Sequence, residues 1–314
     1  MLAGEYAVLD GGDAWCLAVN RRARVDAAPA PEAFTPPEAR QAWARAVASG
    51  LLREMPTDGA ARFDLSALGG GGRKLGLGSS AAGAVAGLGW AVAQERGAAA
   101  LRDLIPQMAQ CAREGHRAAQ GGGSGVDVLT AAYGGLVWVR FPEGPGGVPA
   151  VERHALPESL VWRVFWSGTA VRTSEMIARV EALRAADASA HRGVMDAINA
   201  GTTDFGRAVS SGNAAAVVAA ARAIGAAMAA LGTRASAPVV TPPMARLAAR
   251  AEQFGAAVKP SGAGGGDVVV AFAQDASAMD AVRAAAIIEG FEEVDLAADG
   301  DGVVATDTRN GWVA

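Results

Sequence analysis

Two glycine-rich stretches, each with a lysine at its mouth, hold the groups best suited to chemistry: Arg73-Lys74-Leu75-Gly76-Leu77-Gly78-Ser79-Ser80-Ala81-Ala82 and Lys259-Pro260-Ser261-Gly262-Ala263-Gly264-Gly265-Gly266-Asp267. Of 28 Lys and Arg residues, only Lys74 and Lys259 are lysines. A compact ammonium beside exposed backbone N–H groups suits phosphate. In the first stretch, glycines let the backbone approach an anion closely. Ser79 and Ser80 then open a helix whose N-terminus carries partial positive charge. Together they could cradle a triphosphate, with a serine hydroxyl left to ligate Mg²⁺. In the second stretch Ser261 offers a hydroxyl, and the small residues permit close approach to a ligand. The plain alternatives are a linker for the first and a bulged hairpin for the second.

The first stretch is not a familiar nucleotide motif. A Walker A loop needs Gly-Lys-[Ser/Thr], whereas Lys74 precedes its glycines. A Rossmann fingerprint needs a preceding strand and a distant acid.

Other candidates stand singly. Asp127 follows the flexible Gly121–Gly125 run and could accept a proton from a substrate hydroxyl, or simply cap. His116 and Gln120 lie four apart on a predicted helix and share a face. Glu5-Tyr6 precedes an apolar run, Ala7-Val8-Leu9. Arg172-Thr173-Ser174 follows a strand and opens a helix, where Ser or Thr is an ordinary N-cap.

The elements that must position these residues read as mixed. Strands are expected at Ala7–Leu9, Ala14–Val25, Phe63–Leu65, Leu136–Phe141, Leu160–Trp166, Ala256–Lys259, Val268–Ala273 and Glu292–Leu296. Helices are expected near 38–54, 81–96, 100–119, 174–185, 187–200, 213–231, 242–254 and 276–289. The second of these places Gly97 as its stop, and the third puts Leu101, Leu104, Ile105, Met108 and Cys111 on one face. Thr241-Pro242 reads as an N-cap with proline at the first helical position. The mixture favours α+β. The length of 314 residues suggests two domains, with the change placed after the Gly/Pro-rich loop Pro142–Pro149, giving 1–155 and 156–314.

The net charge of −4 and a pI near 5.5 exclude an electrostatic footprint for nucleic acid. No apolar run is expected to reach the length of a membrane span, and Met1-Leu2-Ala3-Gly4-Glu5 lacks the basic region of a secretory signal. Cys16 and Cys111 fit reduced, buried thiols, and a cytoplasmic location is expected. His116, His154 and His191 have no zinc-site spacing.

Three ordered motifs resemble those of the GHMP kinases, the family of galactokinase, homoserine kinase, mevalonate kinase and phosphomevalonate kinase. Leu2-Ala3-Gly4-Glu5-Tyr6-Ala7-Val8-Leu9 is similar to the first motif, Gly76–Ala82 to the phosphate loop and Ser261–Asp267 to the third. Within the family, His116-Arg117-Ala118-Ala119-Gln120-Gly121 followed by Gly123-Ser124-Gly125-Val126-Asp127-Val128 is similar to the phosphomevalonate kinases. Lys74 ahead of the phosphate loop and Trp166-Ser167-Gly168 fit the same pattern. Mevalonate kinases usually carry a magnesium-binding Glu where His116 falls.

The resemblance implies a two-domain GHMP fold, with an N-terminal ribosomal protein S5 domain 2-like half and a C-terminal ferredoxin-like α/β sandwich. It implies ATP and Mg²⁺, and conversion of 5-phosphomevalonate to 5-diphosphomevalonate in isoprenoid precursor synthesis. Lys74 would neutralise the transferring phosphoryl group, and Asp127 would orient or deprotonate the acceptor. Gly76, Leu77, Gly78, Ser79, Ser80, Ala81, Gly264 and Gly265 would hold the nucleotide, with Ser79 or Ser80 on the metal. Glu5, Tyr6, His116, Gln120, Ser124, Gly125, Arg172, Lys259, Ser261 and Gly262 would line the acceptor site. The protein would act as a monomer or homodimer. Mevalonate kinase or another small-alcohol kinase is the enzymatic alternative. In the family a Pro-Gly-Lys precedes the first motif, whereas this chain begins at Met1-Leu2; a catalytically silent GHMP-fold binding protein is the alternative of another class. The Gly121–Gly123 loop is also one residue shorter than the family pattern leads one to expect.

Overall fold

Strand and helix segments gather into two units that are discontinuous in sequence. A computed structural model describes residues 1–27, 34–69, 75–142, 144, 147–306 and 312–313. One unit contains Met1–Trp15, Trp138–Ala150 and His154–Leu296; the other contains Cys16–Val137, Val151–Arg153 and Ala297–Ala314. The units therefore do not follow a single cut at 155. Strands β1 (Ala14–Leu17), β4 (Leu136–Arg140) and β5 (Ala150–His154) pair in the order β1–β4–β5, and within each the chain passes from one unit to the other.

The unit built on Cys16–Val137 has an antiparallel sheet of order β10–β11–β2–β3. Its strands are β2 (Arg24–Ala27), β3 (Ala61–Asp64), β10 (Val304–Ala305) and β11 (Trp312–Val313). Four helices accompany it: α1 (Pro37–Ala48), α2 (Ser79–Arg96), α3 (Leu101–Gln120) and α4 (Val126–Tyr133). Helix α2 is almost wholly Ala, Gly, Val and Leu in its middle, and every residue from Ala81 to Ala93 is buried. A helix apolar on all sides must be a core element, and α1, α3 and α4 all pack on it. Trp43 of α1 donates its indole N–H to the Gly87 carbonyl at 2.9 Å. Cys111 is buried, its Sγ 3.3 Å from Ser49 Oγ, and burial raises its thiol pKa.

The other unit is a sandwich. Its antiparallel sheet runs β7–β8–β6–β9, made from β6 (Val161–Trp166), β7 (Ala257–Pro260), β8 (Val268–Ala273) and β9 (Glu292–Val294). One apolar cluster joins Phe165, Val258, Val269 and Ala271 of the sheet to Met244 and Leu247 of α8 (Pro242–Gln253) and Met279 and Val282 of α9 (Ala276–Ile288). Phe205 of α6 (Ala188–Ser210) meets Phe272 edge-on, with ring centroids 6.1 Å apart. Helix α7 (Ala214–Arg234) packs against α6 and β7, and α5 (Thr173–Ala186) packs on α6.

Most expected elements form, with informative exceptions. Ala7–Asp10 is a 3₁₀ turn rather than a strand. Tyr6 enters it at φ 61°, and Val8 N–H bonds back to the Gly4 carbonyl at 3.1 Å, so local bonds take the groups a strand would offer. The expected strand Ala14–Val25 breaks after Leu17 and resumes at Arg24. Helix α4 and strand β5 were not anticipated, and α6 extends ten residues beyond the expected end at 200. Thr241 precedes Pro242 as expected but makes no side-chain capping bond. Helix α7, 21 residues long, is long and apolar enough to cross a membrane by length and composition. Here Val217, Ile224, Met228 and Leu231 are buried within its unit.

Candidate active site

The phosphate-loop candidate is an ordered turn into a helix. Leu75 is buried and anchors it. Gly76 and Gly78 adopt φ 68° and 75°, the left-handed region that glycine enters without steric cost. Gly78 is the N-cap of α2, so Ser79 and Ser80 are its first residues. The first-turn N–H groups of a helix have no intrahelical acceptor, and the dipole makes that end attractive to anions. Ala81 is itself buried, so only its backbone could serve a ligand. Lys74 lies outside the described residues.

Asp127 comes to this loop from α4. A Cβ placed on Gly78 would sit 3.6 Å from Asp127 Cβ and 3.9 Å from its Oδ2. The carboxylate is exposed, and its Oδ1 accepts the Val128 N–H at 3.0 Å. Two features fix α4. Val126, Val128 and Leu129 are buried, and Gly125, at φ 72°, leaves no room for a side chain against the stem of Arg113. Arg113 is 1% exposed, and burial, with Arg117 nearby, lowers its pKa.

His116 and Gln120 share a helix face but not a purpose. The buried His116 places Nε2 3.0 Å from Ser80 Oγ, joining α3 to the phosphate loop. Gln120 is exposed and donates instead to Glu38 Oε1 on α1. Ser124 turns inward on its own loop, its Oγ accepting the Val126 N–H at 3.4 Å.

Beside the start of α2 lies a cavity of about 560 Å³, within the range of small-molecule sites. Phe34, Pro36, Phe63 and Leu65 supply apolar walls, Glu38 and Arg62 polar ones, and Ser79, Ser80 and Gly83 the helix end. No motif marked this lining. Its only sequence signal was the apolar alternation around Phe63 and the proline pair ahead of Glu38.

In the other unit the candidates close on one another. Lys259 donates from Nζ to the Glu5 carboxylate and to the Pro260 carbonyl at 2.8 Å, with both side chains wholly buried. Glu5 Oε2 is buried without a hydrogen-bond partner among the described residues. Tyr6 donates its hydroxyl to the Ala263 carbonyl at 2.5 Å, and burial, with Glu5 adjacent, raises its pKa. Ser261 Oγ donates to the Met1 carbonyl at 2.9 Å and accepts from the Met1 ammonium at 3.0 Å.

Gly264 and Gly265 are pressed against protein: Gly265 N–H bonds the Val239 carbonyl at 2.9 Å, and a Cβ on Gly264 would strike that carbonyl. Gly262 alone of these faces open space. The expected acceptor contacts Glu5, Tyr6, Lys259 and Ser261 are thus engaged inside the fold, because the N-terminal segment and the second glycine loop satisfy each other's polar groups. Arg172 is free of that cluster, 82% exposed and 3.6 Å from Glu175.

The sequence matches the family described as GHMP kinases C terminal over residues 214–292, from α7 to the start of β9. No curated protein matches the chain. Among solved structures, a Lin0012 protein from Listeria innocua has 21% identity over 96% of this chain and 95% of its own, with a TM-score of 0.79. Streptococcus pneumoniae phosphomevalonate kinase in complex with phosphomevalonate and AMPPNP has 18% identity over 95% and 96%, TM-score 0.71. L. major mevalonate kinase in complex with R-mevalonate has 16% identity over 96% and 94%, TM-score 0.66.

Proposed function

We propose that this chain, which has the GHMP kinase fold and carries that family's C-terminal domain, is an ATP-dependent kinase that phosphorylates 5-phosphomevalonate to 5-diphosphomevalonate. The observation that carries the reading is the Asp127 carboxylate packed against Gly78 at the start of α2, beside a cavity of nucleotide size.

In this reading the triphosphate lies on the N–H groups of Gly78–Ala81, and the base enters the apolar cavity. Phosphoryl transfer rests mainly on positioning and charge neutralisation. Lys74 offsets charge that develops on the transferring group. Among the described residues no cluster of three His, Cys, Asp or Glu could hold a metal. Ser79 and Ser80 directly follow Gly78, against which Asp127 lies, and their hydroxyls would suit Mg²⁺, which usually keeps waters and phosphate oxygens around one or two protein ligands. Bound there, the ion would neutralise phosphate charge. The Ser80–His116 contact holds one of those hydroxyls in place.

The acceptor oxygen forms the new bond to the γ-phosphorus as the bond to ADP breaks. A phosphate monoester has a second pKa near ~6, so little proton abstraction is needed and Asp127 mainly orients. Arg172, exposed and only loosely paired, suits the acceptor's phosphate. The relative that binds phosphomevalonate with AMPPNP supports this pair of substrates. A coupled ADP-release assay over mevalonate, 5-phosphomevalonate, homoserine and galactose tests it. Preference for 5-phosphomevalonate is expected, and preference for mevalonate would assign the alternative activity.

A further inference from the structure

The cavity beside α2 holds one acid that the phosphate chemistry does not use. Glu38 lies in the first turn of α1, directly after Pro36 and Pro37, which line the same cavity. One carboxylate oxygen is fixed by the Gln120 side-chain amide, and no described residue bonds the other. The remaining polar lining away from the serines is Arg62, whose guanidinium is drawn to Asp26 Oδ2 at 3.0 Å. A carboxylate repels phosphate, so Glu38 fits only the donor-bearing part of a nucleotide. Its neighbours in the lining are flat and apolar, and Phe34 is 70% exposed, a surface that a stacked ring would cover.

We infer that Glu38, oriented by Gln120, accepts a hydrogen bond from the exocyclic amine of the nucleobase and so sets the choice of nucleotide. This rests on reading the cavity as the nucleotide site. Glu38 would be a specificity residue and Gln120 a positioning residue acting through it.

Equilibrium binding, without any acceptor, tests the inference by calorimetry with ATP, purine riboside 5′-triphosphate, which lacks the 6-amino group, and 2′- and 3′-deoxy-ATP. The wild-type chain should bind ATP at least ~10-fold tighter than the purine riboside analogue, the range of a hydrogen bond to a charged group. Glu38→Ala should erase that preference by weakening ATP alone, Glu38→Gln should retain part of it, and Gln120→Ala should reduce it. Equal binding of ATP and the purine riboside analogue by the wild-type chain would overturn the inference while leaving the nucleotide site intact. Discrimination against the deoxy analogues that Glu38→Ala removes would assign the carboxylate to the sugar and overturn it too. Failure to bind any of the four would overturn the nucleotide reading itself.

Discussion

Lys259 and Glu5, 254 residues apart in sequence, form a wholly buried ion pair. The Lys259 ammonium also bonds the Pro260 carbonyl, so neither charge faces solvent. The pair ties the first motif to the second glycine loop.

Removing one member should therefore damage folding rather than ligand affinity. Lys259→Met alone strands the Glu5 carboxylate and should cost about 3–5 kcal/mol. The double substitution Glu5→Leu/Lys259→Met should recover most of that loss, because well-packed apolar residues often replace a buried pair without penalty. Urea unfolding of the single and double variants measures this. Equal stability of Lys259→Met and the wild-type chain would contradict the burial of the pair.

Tyr6 gives a pH test of the same region. Its raised pKa means the folded state holds the phenolic proton more tightly than the unfolded chain. That contribution is fully present below the ordinary value of 10.0 and is lost as pH rises beyond it. Stability should thus fall on the alkaline side of pH 10, and Tyr6→Phe should flatten that fall. At neutral pH Tyr6→Phe should cost about 1 kcal/mol, since the Ala263 carbonyl loses its donor. Thermal unfolding between pH 8 and ~11 reads both effects.

Asp127→Asn keeps the shape of the side chain and removes its charge. Nucleotide affinity should stay within a few-fold, while turnover drops by ~10² or more. Calorimetry with a non-hydrolysable ATP analogue, beside steady-state kinetics, separates the two. Normal turnover would reduce Asp127 to a first-turn helix acid.

Lys74→Ala should lower kcat more than it raises KM for ATP, because a counter-charge to the transferring group matters most in the transition state. An unchanged kcat would remove Lys74 from the chemistry.

Arg172→Ala should raise KM for 5-phosphomevalonate by ~10-fold with little change in kcat, as expected for loss of a contact made equally in ground and transition states. The effect should shrink at high salt, since the side chain is exposed. KM for ATP serves as the control.

What could be read from the sequence was mostly local. Gly76–Ser80 announces its turn because glycine and serine at that spacing dictate backbone geometry within a few residues. Helix α2 was legible from composition, and the motif around Asp127 singled that residue out, which the fold brings next to Gly78. The Glu5–Lys259 pair was not, since burial depends on which distant segments meet. The same holds for Gln120, whose partner Glu38 lies on another helix. His116 was assigned to the acceptor by the resemblance of its motif, yet only three-dimensional packing reveals Ser80 as its neighbour. Ala7-Val8-Leu9 reads as a strand by composition, and the positive φ at Tyr6 that turns it into a 3₁₀ segment is invisible in residue types.

The interleaving of the two units has a consequence for biosynthesis. Residues 1–15 are made well before 138–150 and 154–296, with which they belong, while residues 297–314 belong with a segment made much earlier than they are. Neither unit can be completed by a nascent chain until almost all of it has been translated. The opening residues must wait, with Glu5 solvated and unpaired, until Lys259 emerges. Cutting the chain into consecutive halves would for the same reason yield two pieces each missing strands or anchors held by the other, whereas a split respecting the discontinuous segments would keep each core whole.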